Sequence, residues 1–180
     1  MERESEFKRL KEKAEAVQAI VTEIKDLDEA FQYTVKLTKD QGGKAVAAPG
    51  LDEGDRATLE ALCQENDLAL LTKTLRDHAT ALHTGFTIAD WGVAETGTLV
   101  LESSSEDIRI ATMLTETHVA VLPRSKIQPD LMTLEKELGR LMKEPGNYLA
   151  FITGASRTAD IERVLTIGVH GPQELHILIM

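Results

Sequence analysis

The sequence predicts an α/β domain built on a mostly parallel sheet. Short, continuous apolar runs alternate along the chain with segments of helical periodicity, a pattern typical of strands that helices bury on both faces. The 180 residues, 42% hydrophobic and 28% charged, suit one domain with a sizeable core. No repeat, low-complexity tract or linker divides the chain, so residues 1–180 are expected to form a single domain.

The first forty residues (1–40) predict an amphipathic helical segment that packs on this domain. Apolar side chains recur at intervals of three and four between Ala14 and Phe31, which is helical periodicity. Gln41, Gly42 and Gly43 end the segment, because glycines interrupt helices.

Beyond residue 44, apolar runs bounded by turn residues alternate with periodic segments. The runs predict strands over residues 45–48, 68–71, 86–94, 98–102, 119–122, 148–153 and 175–180. The periodic segments predict helices over residues 52–64, 72–82, 106–112 and 129–142. In sheets of this kind ligands gather at the carboxyl ends of strands, so the loops that follow strands are where a site is expected.

Composition narrows the classes of function. The net charge of −10 argues against a nucleic-acid partner, which clustered Lys and Arg would hold, and aromatic residues at 4% offer few rings for stacking on bases. Cys63 is the single cysteine, so no intrachain disulfide is expected, and a cluster of iron and sulfur takes about four cysteine ligands. A charged start and the lack of an apolar run near the roughly 20 residues of a membrane span predict a cytoplasmic protein.

Several known fingerprints are missing from the sequence. No Gly-x-Gly-x-x-Gly follows a predicted strand, and neither a Walker lysine motif nor a Gly-x-Ser-x-Gly elbow is present. His78 and His83 lie five apart without a third ligand, so no metal site is expected.

Glu95, Thr96, Gly97 and Thr98 form a first polar cluster, between two predicted strands. Glu95 is a candidate base, nucleophile or ligand-orienting carboxylate, because a carboxylate in an apolar strand pair is costly unless it is used or paired. The structural alternative is that Gly97 permits a bend and Glu95 is solvated.

A second polar cluster runs from Gly154 to Glu162, directly after a predicted strand. It predicts a helix start at which Ser156 or Thr158 caps the first turn and Asp160 faces the positive end. That structural account explains most of the cluster without a ligand.

Arg157 does not fit the structural account, because a cation is unfavourable near a helix N-terminus. A small anion, carboxylate or phosphate, held by the guanidinium and by free backbone N–H groups explains it better. Pairing with Glu95 or Asp160 is the alternative.

The remaining histidines divide by context. His170, Gly171 and Pro172 form a tight turn that presents an imidazole, either as a catalytic group or as a polar filler. His176 alternates with apolar residues of the last strand and is interpreted as structural, whereas His118 opens a strand and shows no functional pattern. The candidate ligand-binding residues are Thr96, Gly97, Thr98, Gly154, Ser156, Arg157, Thr158, Asp160, His170 and Gly171, with Glu95 the candidate catalytic residue.

Two stretches of the chain resemble a known family. They are residues 89–100, Ala-Asp-Trp-Gly-Val-Ala-Glu-Thr-Gly-Thr-Leu-Val, and residues 154–162 together with Gly-Val-His-Gly-Pro at 168–172. Through them the chain resembles the LUD-domain family, in particular its branch called lactate-utilisation protein C. The residues that match the family's motifs are Glu95, Thr96, Gly97, Ser156, Arg157, Asp160, His170, Gly171 and Pro172.

The resemblance implies a fold similar to the group of ribose-5-phosphate isomerase, glucosamine-6-phosphate deaminase and CoA-transferase. It also implies a part in bacterial oxidation of L-lactate to pyruvate, beside iron–sulfur partner proteins that carry the clusters. No cofactor is then expected in this chain, in keeping with its single cysteine.

Three hypotheses of function follow. The first is an accessory or ligand-binding subunit of a cytoplasmic lactate-oxidising system, which binds a small anion near Arg157 with Glu95 close by. The second is a free-standing enzyme that acts on a sugar phosphate or an acyl-CoA through Glu95, and it rests on fold-level analogy alone. The third is a non-catalytic assembly factor that offers the apolar stripe of its N-terminal helix to a partner.

Overall fold

Residues 2–143, 145–158 and 166–180 are described by the structure, a computed structural model, with side chains from residue 4 onwards. The α-helices of these ranges are α1 (Glu2–Ala16), α2 (Leu27–Asp40), α3 (Glu53–Glu65), α4 (Glu106–Met113) and α5 (Glu135–Leu141). The first strands are β1 (Ala19–Glu23), β2 (Ala45–Ala47), β3 (Ala69–Leu71), β4 (Thr84–Ile88), β5 (Trp91–Val93) and β6 (Thr98–Glu102). The later strands are β7 (Thr117–Leu122), β8 (Ile127–Gln128), β9 (Leu149–Ile152), β10 (Arg157–Thr158), β11 (Thr166–Ile167) and β12 (Glu174–Ile179).

Two sheets organise the fold. The main sheet has six strands in the order β1-β12-β7-β4-β2-β3, and every neighbouring pair is parallel. The small sheet has the order β8-β5-β6-β9, with antiparallel pairs on both sides of β6. The predicted α/β domain with a mostly parallel sheet is therefore confirmed.

The main sheet is buried on both faces. Helices α2 and α3 cover one face, where Phe31 and Leu59 pack with Phe86 of β4. The small sheet and α1 cover part of the other face, where Leu10 and Leu99 belong to one cluster with residues of β7 and β12. Double-sided burial explains why the strands of the main sheet are continuous apolar runs.

The single helix predicted for the first forty residues is wrong. Helix α1 ends at Ala16, and strand β1 pairs with β12 before α2 begins. Gln18 takes a positive φ of 67°, which no helix tolerates, and the β-branched run that follows favours a strand. The spacing of apolar residues fitted one long helix only because two shorter helices flank a buried strand.

Two further predicted elements are divided or shortened. The strand predicted over 86–94 is split into β4 in the main sheet and β5 in the small sheet. The split lies at Asp90, whose carboxylate accepts a hydrogen bond from the Glu102 amide (2.7 Å) and turns the chain between the sheets. The helices predicted over 72–82 and 129–142 contain 3₁₀ helices at Leu75–Ala81 and Met132–Leu134, and only α5 of the second is α-helical.

The helix starts follow the sequence signals more closely. Asp26 and Asp52 cap α2 and α3, since their side chains accept hydrogen bonds from the amides of Glu29 and Asp55, both at 2.9 Å. Within the described ranges, no helix is both long enough and apolar enough to cross a membrane.

Candidate functional site

The two polar clusters of the sequence meet through a chain of hydroxyls. The Oγ1 atoms of Thr96 and Thr98 lie 2.7 Å apart, and Thr98 Oγ1 lies 2.7 Å from Thr153 Oγ1 at the end of β9. Antiparallel pairing of β6 with β9 makes this approach possible. The hydroxyl chain therefore links the first cluster to the strand that leads into the second.

A glycine from each cluster packs on the end of α1. Gly97 has φ +67°, and a Cβ there would lie 2.3 Å from the Ala14 amide nitrogen. Gly154 has φ +75°, and a Cβ there would lie 2.2 Å from the Val17 carbonyl oxygen. Any side chain at either position would meet backbone atoms, so both glycines are required by the close approach.

Glu95 lies outside this contact region. Its side chain is exposed, and its amide donates a hydrogen bond to the Pro129 carbonyl (3.1 Å). No hydrogen bond or ion pair of its carboxylate is found within the part of the chain that the structure describes. A catalytic role for Glu95 stays a prediction.

The helix start predicted at the second cluster is wrong for the residues described. The Ser156 amide donates to the Pro172 carbonyl, and the Gly168 amide donates to the Ser156 carbonyl, both at 2.9 Å. Arg157 and Thr158 then form β10, which pairs with β11. Backbone pairing with the later segment thus takes the place of a helix start at Ser156. Asp160 lies outside the described residues.

Residues of these paired segments line an open cavity of ≈ 250 Å³, which we call the His118 cavity. It lies at the amino ends of β7 and β12, between the C-terminal end of α4 and the turn after β9. Its lining residues are Thr112, Met113, His118, Phe151, Ile152, Thr153, Gly154, Ala155, Ser156, His170, Gly171, Pro172 and Leu175. Four of the sequence-predicted site residues, Gly154, Ser156, His170 and Gly171, therefore come together around one space.

His118 is the residue that sequence reasoning missed. Its side chain is 1% exposed, and its Nε2 lies 2.8 Å from Thr87 Oγ1. Its Nδ1 has no hydrogen-bond partner in the described part of the chain. Burial lowers the pKa of His118 to about 4, so the imidazole is neutral at neutral pH. A polar residue at the start of an apolar strand was the only signal for it in the sequence.

Arg157 lies at the rim of the His118 cavity. Its guanidinium Nη2 is 3.5 Å from the carbonyl oxygen of Thr153, a residue that lines the cavity. The side chain is exposed, as is that of His170, which lines the cavity. The cavity therefore has a neutral, buried histidine among its lining residues and a cation at its rim.

This arrangement suits a small anionic ligand. The hydroxyl of Ser156 and the guanidinium of Arg157 are donors for a carboxylate at the rim. Among the described residues, no group of three or more His, Cys, Asp and Glu is placed to hold a metal ion. The residues of the site can provide a ligand with hydrogen bonds and charge.

A second cleft of ≈ 160 Å³ lies at the carboxyl ends of β2 and β4, the place where the sequence analysis expected a ligand. Asp90 and Glu102 line it, and both carboxylates hold backbone amides: Asp90 that of Glu102 (2.7 Å) and Glu102 that of Ser104 (2.8 Å). Burial raises the pKa of Asp90. These carboxylates shape the chain, whereas the motif residues converge at the opposite end of the sheet.

Comparison with known proteins gives the family context. The family model described as the LUD domain matches residues 7–180. A protein named lactate utilization protein C from Macrococcus caseolyticus is 36% identical over 91 residues, which cover 49% of this chain and 39% of that protein. One of the same name from Anoxybacillus flavithermus is 34% identical over 135 residues, covering 73% of this chain and 60% of that protein.

An uncharacterized protein of Neisseria meningitidis is 31% identical, with 97% of this chain and 78% of that protein covered. The chain thus spans less than two thirds of the length of either lactate-utilisation relative named above. Among solved structures, a DUF162 family protein from Deinococcus radiodurans superimposes with a TM-score of 0.64 at 16% identity, covering 98% of this chain and 97% of that one. At that identity the likeness shows the shared fold.

Proposed function

This chain belongs to the LUD domain family, and on that premise we propose that it is the ligand-binding subunit of a cytoplasmic lactate-utilisation system. The observation that carries the proposal is the convergence of Gly154, Ser156, His170 and Gly171 on the His118 cavity. The names of two relatives, lactate utilization protein C, supply the ligand class. The ligand we propose is L-lactate or a similarly small carboxylate.

The size and charge of the cavity support a small anion. Its ≈ 250 Å³ exceeds the roughly 30 Å³ that a water molecule occupies in the liquid, yet falls below the range of about 300–1,000 Å³ typical of drug-sized ligands. The net charge of −10 would repel an anion at long range, so a local cation is needed. Arg157 at the rim supplies one, next to the Ser156 hydroxyl.

In this proposal the oxidation itself takes place in iron–sulfur partner proteins, as the family resemblance implies. Cys63 is buried in the core between α2, α3 and the main sheet, and burial raises its pKa to about 11. A buried thiol of this kind stays protonated and does not ligate a cluster. The chain's own part is to hold the anion.

The structure disfavours the assembly-factor hypothesis in the form that offers the N-terminal apolar stripe to a partner. Phe7, Leu10 and Ala14 of α1 are 4%, 0% and 0% exposed, since they pack in the core with the small sheet. Removing α1 would uncover that core, so a truncated chain is not expected to stay folded.

Arg157→Ala tests the rim cation directly. Loss of a charge-assisted hydrogen bond of about 1.5–3 kcal/mol should weaken L-lactate binding by roughly 10- to 100-fold, measured by calorimetric titration. Arg56→Ala on α3, on the opposite side of the main sheet, is the matched control and should bind as the wild type does. Unchanged affinity in Arg157→Ala, or no binding of L-lactate to the wild type at millimolar concentration, contradicts the proposal.

Partnership is tested separately. A tagged chain recovered from lactate-grown cells of its source should carry iron–sulfur proteins and oxidise L-lactate with an artificial electron acceptor. The contrary result is a chain that is recovered alone, binds no lactate and acts on a sugar phosphate or an acyl-CoA. If that activity is lost in Glu95→Gln, the free-standing enzyme replaces the subunit as the function.

A further inference from the structure

The small sheet ends in an edge strand, β9, whose outer side has no backbone partner among the described residues. On its inner side, the Ser103 amide donates to the carbonyl of Tyr148 directly opposite (2.8 Å), which makes these two a hydrogen-bonded pair of the antiparallel ladder. Bonded and non-bonded pairs alternate along such a ladder. Leu149 and Phe151 therefore direct their N–H and C=O groups away from β6, to the open edge.

The other edge strands of the two sheets carry the usual protection against pairing with another chain, which is short length or charge. Strand β1 has the exposed Glu23, which forms an ion pair with Arg124 (3.5 Å). Strand β8 is two residues long and packs against α1, and β3 is three residues long. Strand β9 has no such charge, because residues 145–156 contain no Asp, Glu, Lys or Arg.

We propose that β9 is a dimerisation edge, at which two copies of this chain pair antiparallel about a twofold axis at Phe151 and join their small sheets. Phe151 then lies opposite its own counterpart, and Leu149 lies opposite Thr153 of the second copy. An axis at Leu149 would instead set Pro145, which has no N–H, opposite Thr153. The inference goes beyond the proposed function and does not depend on the ligand.

Charge and symmetry favour a second copy as the occupant of this edge. Two chains of net charge −10 repel each other, so they can associate only through a contact that is locally neutral, as β9 is. A twofold axis makes the contact self-complementary, since each outward N–H of one copy meets a C=O of the other. A cationic strand from a different protein would find no carboxylate on β9 to attract it.

The Phe151 side chain supplies the apolar part of the contact. It lies opposite Val100 of β6, on the face of the small sheet where Leu134 and Leu138 cover Val100. Phe151 is not part of that cluster and is 48% exposed. On the proposed axis the two Phe151 rings are cross-strand neighbours on one face, so each covers the other.

The size of the contact sets the expected affinity. The proposed register gives about six backbone hydrogen bonds between the copies, at the lower end of the roughly 10 ± 5 that typical interfaces carry. Interfaces of this small class are weak, so we expect a dissociation constant in the micromolar range.

Sedimentation velocity of the wild-type chain, from about 1 to 300 µM, measures the association without any variant. We expect a concentration-dependent shift from monomer to dimer. Phe151→Lys should weaken it by at least about tenfold, because two ammonium groups would face each other at the axis. Ile20→Lys is the matched control, since Ile20 is 44% exposed on the edge strand β1, and it should dimerise as the wild type does. Circular dichroism checks that both variants fold.

Disulfide cross-linking tests the position of the axis. Cys63 is the single cysteine and is buried, so a thiol introduced at the edge is the accessible one. Hydrogen-bonded pairs hold their Cα atoms about 5.5 Å apart, within the roughly 4.4–6.8 Å that disulfides span. Phe151→Cys should therefore give a covalent dimer under mild oxidation. Leu149→Cys should not, because its counterpart lies about 14 Å away in this register.

Three results would overturn the proposal. The first is a wild-type chain that stays monomeric over the whole concentration range. The second is equal weakening of the dimer by Phe151→Lys and Ile20→Lys, and the third is cross-linking of Leu149→Cys in place of Phe151→Cys. None of them bears on the binding of L-lactate, so each leaves the proposed function standing.

Discussion

Two buried histidines on neighbouring strands have opposite surroundings. His118 of β7 and His176 of β12 lie near the amino ends of adjacent parallel strands, with Leu175 opposite His118 in the register, so they point to opposite faces of the main sheet. They are 1% and 3% exposed. His176 Nδ1 lies 2.7 Å from the Tyr33 hydroxyl, and its Nε2 lies 2.9 Å from Glu174 Oε2. Among the described residues, His118 has a partner on Nε2 alone.

The difference separates a histidine whose ring is fully hydrogen-bonded from one with an unpaired ring nitrogen. Both ring nitrogens of His176 are satisfied inside the protein, and the residue ties α2 to β12. His118 has one buried nitrogen without a partner among the described residues, which costs stability. Burial and residue type are the same in both places, so the hydrogen-bond inventory is what distinguishes them.

The largest expected effect is the loss of stability in acid that comes from His118. The folded-state pKa of His118, about 4, lies below the ordinary 6.5, so the unfolded chain takes up this proton first as the pH falls. Stability from this group is complete above pH 6.5 and is lost between pH 6.5 and 4, by about 3 kcal/mol. Urea unfolding of wild type and His118→Asn at pH 7, 5.5 and 4 measures it, because the variant lacks the titrating ring.

The carboxyl groups titrate equally in both proteins, so the difference between the two curves isolates His118. Parallel stability curves for wild type and His118→Asn would show that the ring is not held neutral by burial.

Substitution of each histidine should change the free energy of unfolding by a smaller amount. His176→Leu takes a 2.7 Å partner from the Tyr33 hydroxyl and should cost about 1–3 kcal/mol of unfolding free energy. His118→Leu combined with Thr87→Val removes both members of a buried pair and should be nearly neutral, since no polar group is left unpaired.

Chemical denaturation at pH 7 gives both values. A loss of stability in the double variant as large as that of His176→Leu would mean that His118 is as structural as its neighbour.

The sequence predicted the main sheet except for β1, because local signals and burial agree in its other strands. The strand at 45–48 and the helix at 52–64 correspond to β2 and α3, where an apolar run and an Asp52 cap are unambiguous. The small sheet was not foreseen, since β8 and β9 join the local pair of β5 and β6 over long separations in the sequence, which no local pattern encodes. The prediction for the first forty residues failed because helical periodicity continued by chance through β1.

The site was predicted in part, and what was missed depends on how the chain packs in three dimensions. Motif residues identified Gly154, Ser156, His170 and Gly171, which do line one cavity. The cavity lies at the amino ends of β7 and β12, not at the carboxyl ends that the rule for parallel sheets favours. His118 was overlooked because an unpaired ring nitrogen is a property of three-dimensional packing.

The most direct test of this account observes both histidines at once. Long-range ¹H–¹⁵N correlation spectra of the imidazole rings, recorded at pH 7 during titration with L-lactate, report the hydrogen bonding of each ring nitrogen. The proposed function predicts that the ring resonances of His118 shift as L-lactate fills the cavity that this residue lines, while those of His176 stay in place. A His118 ring that is unchanged at saturating L-lactate would contradict it.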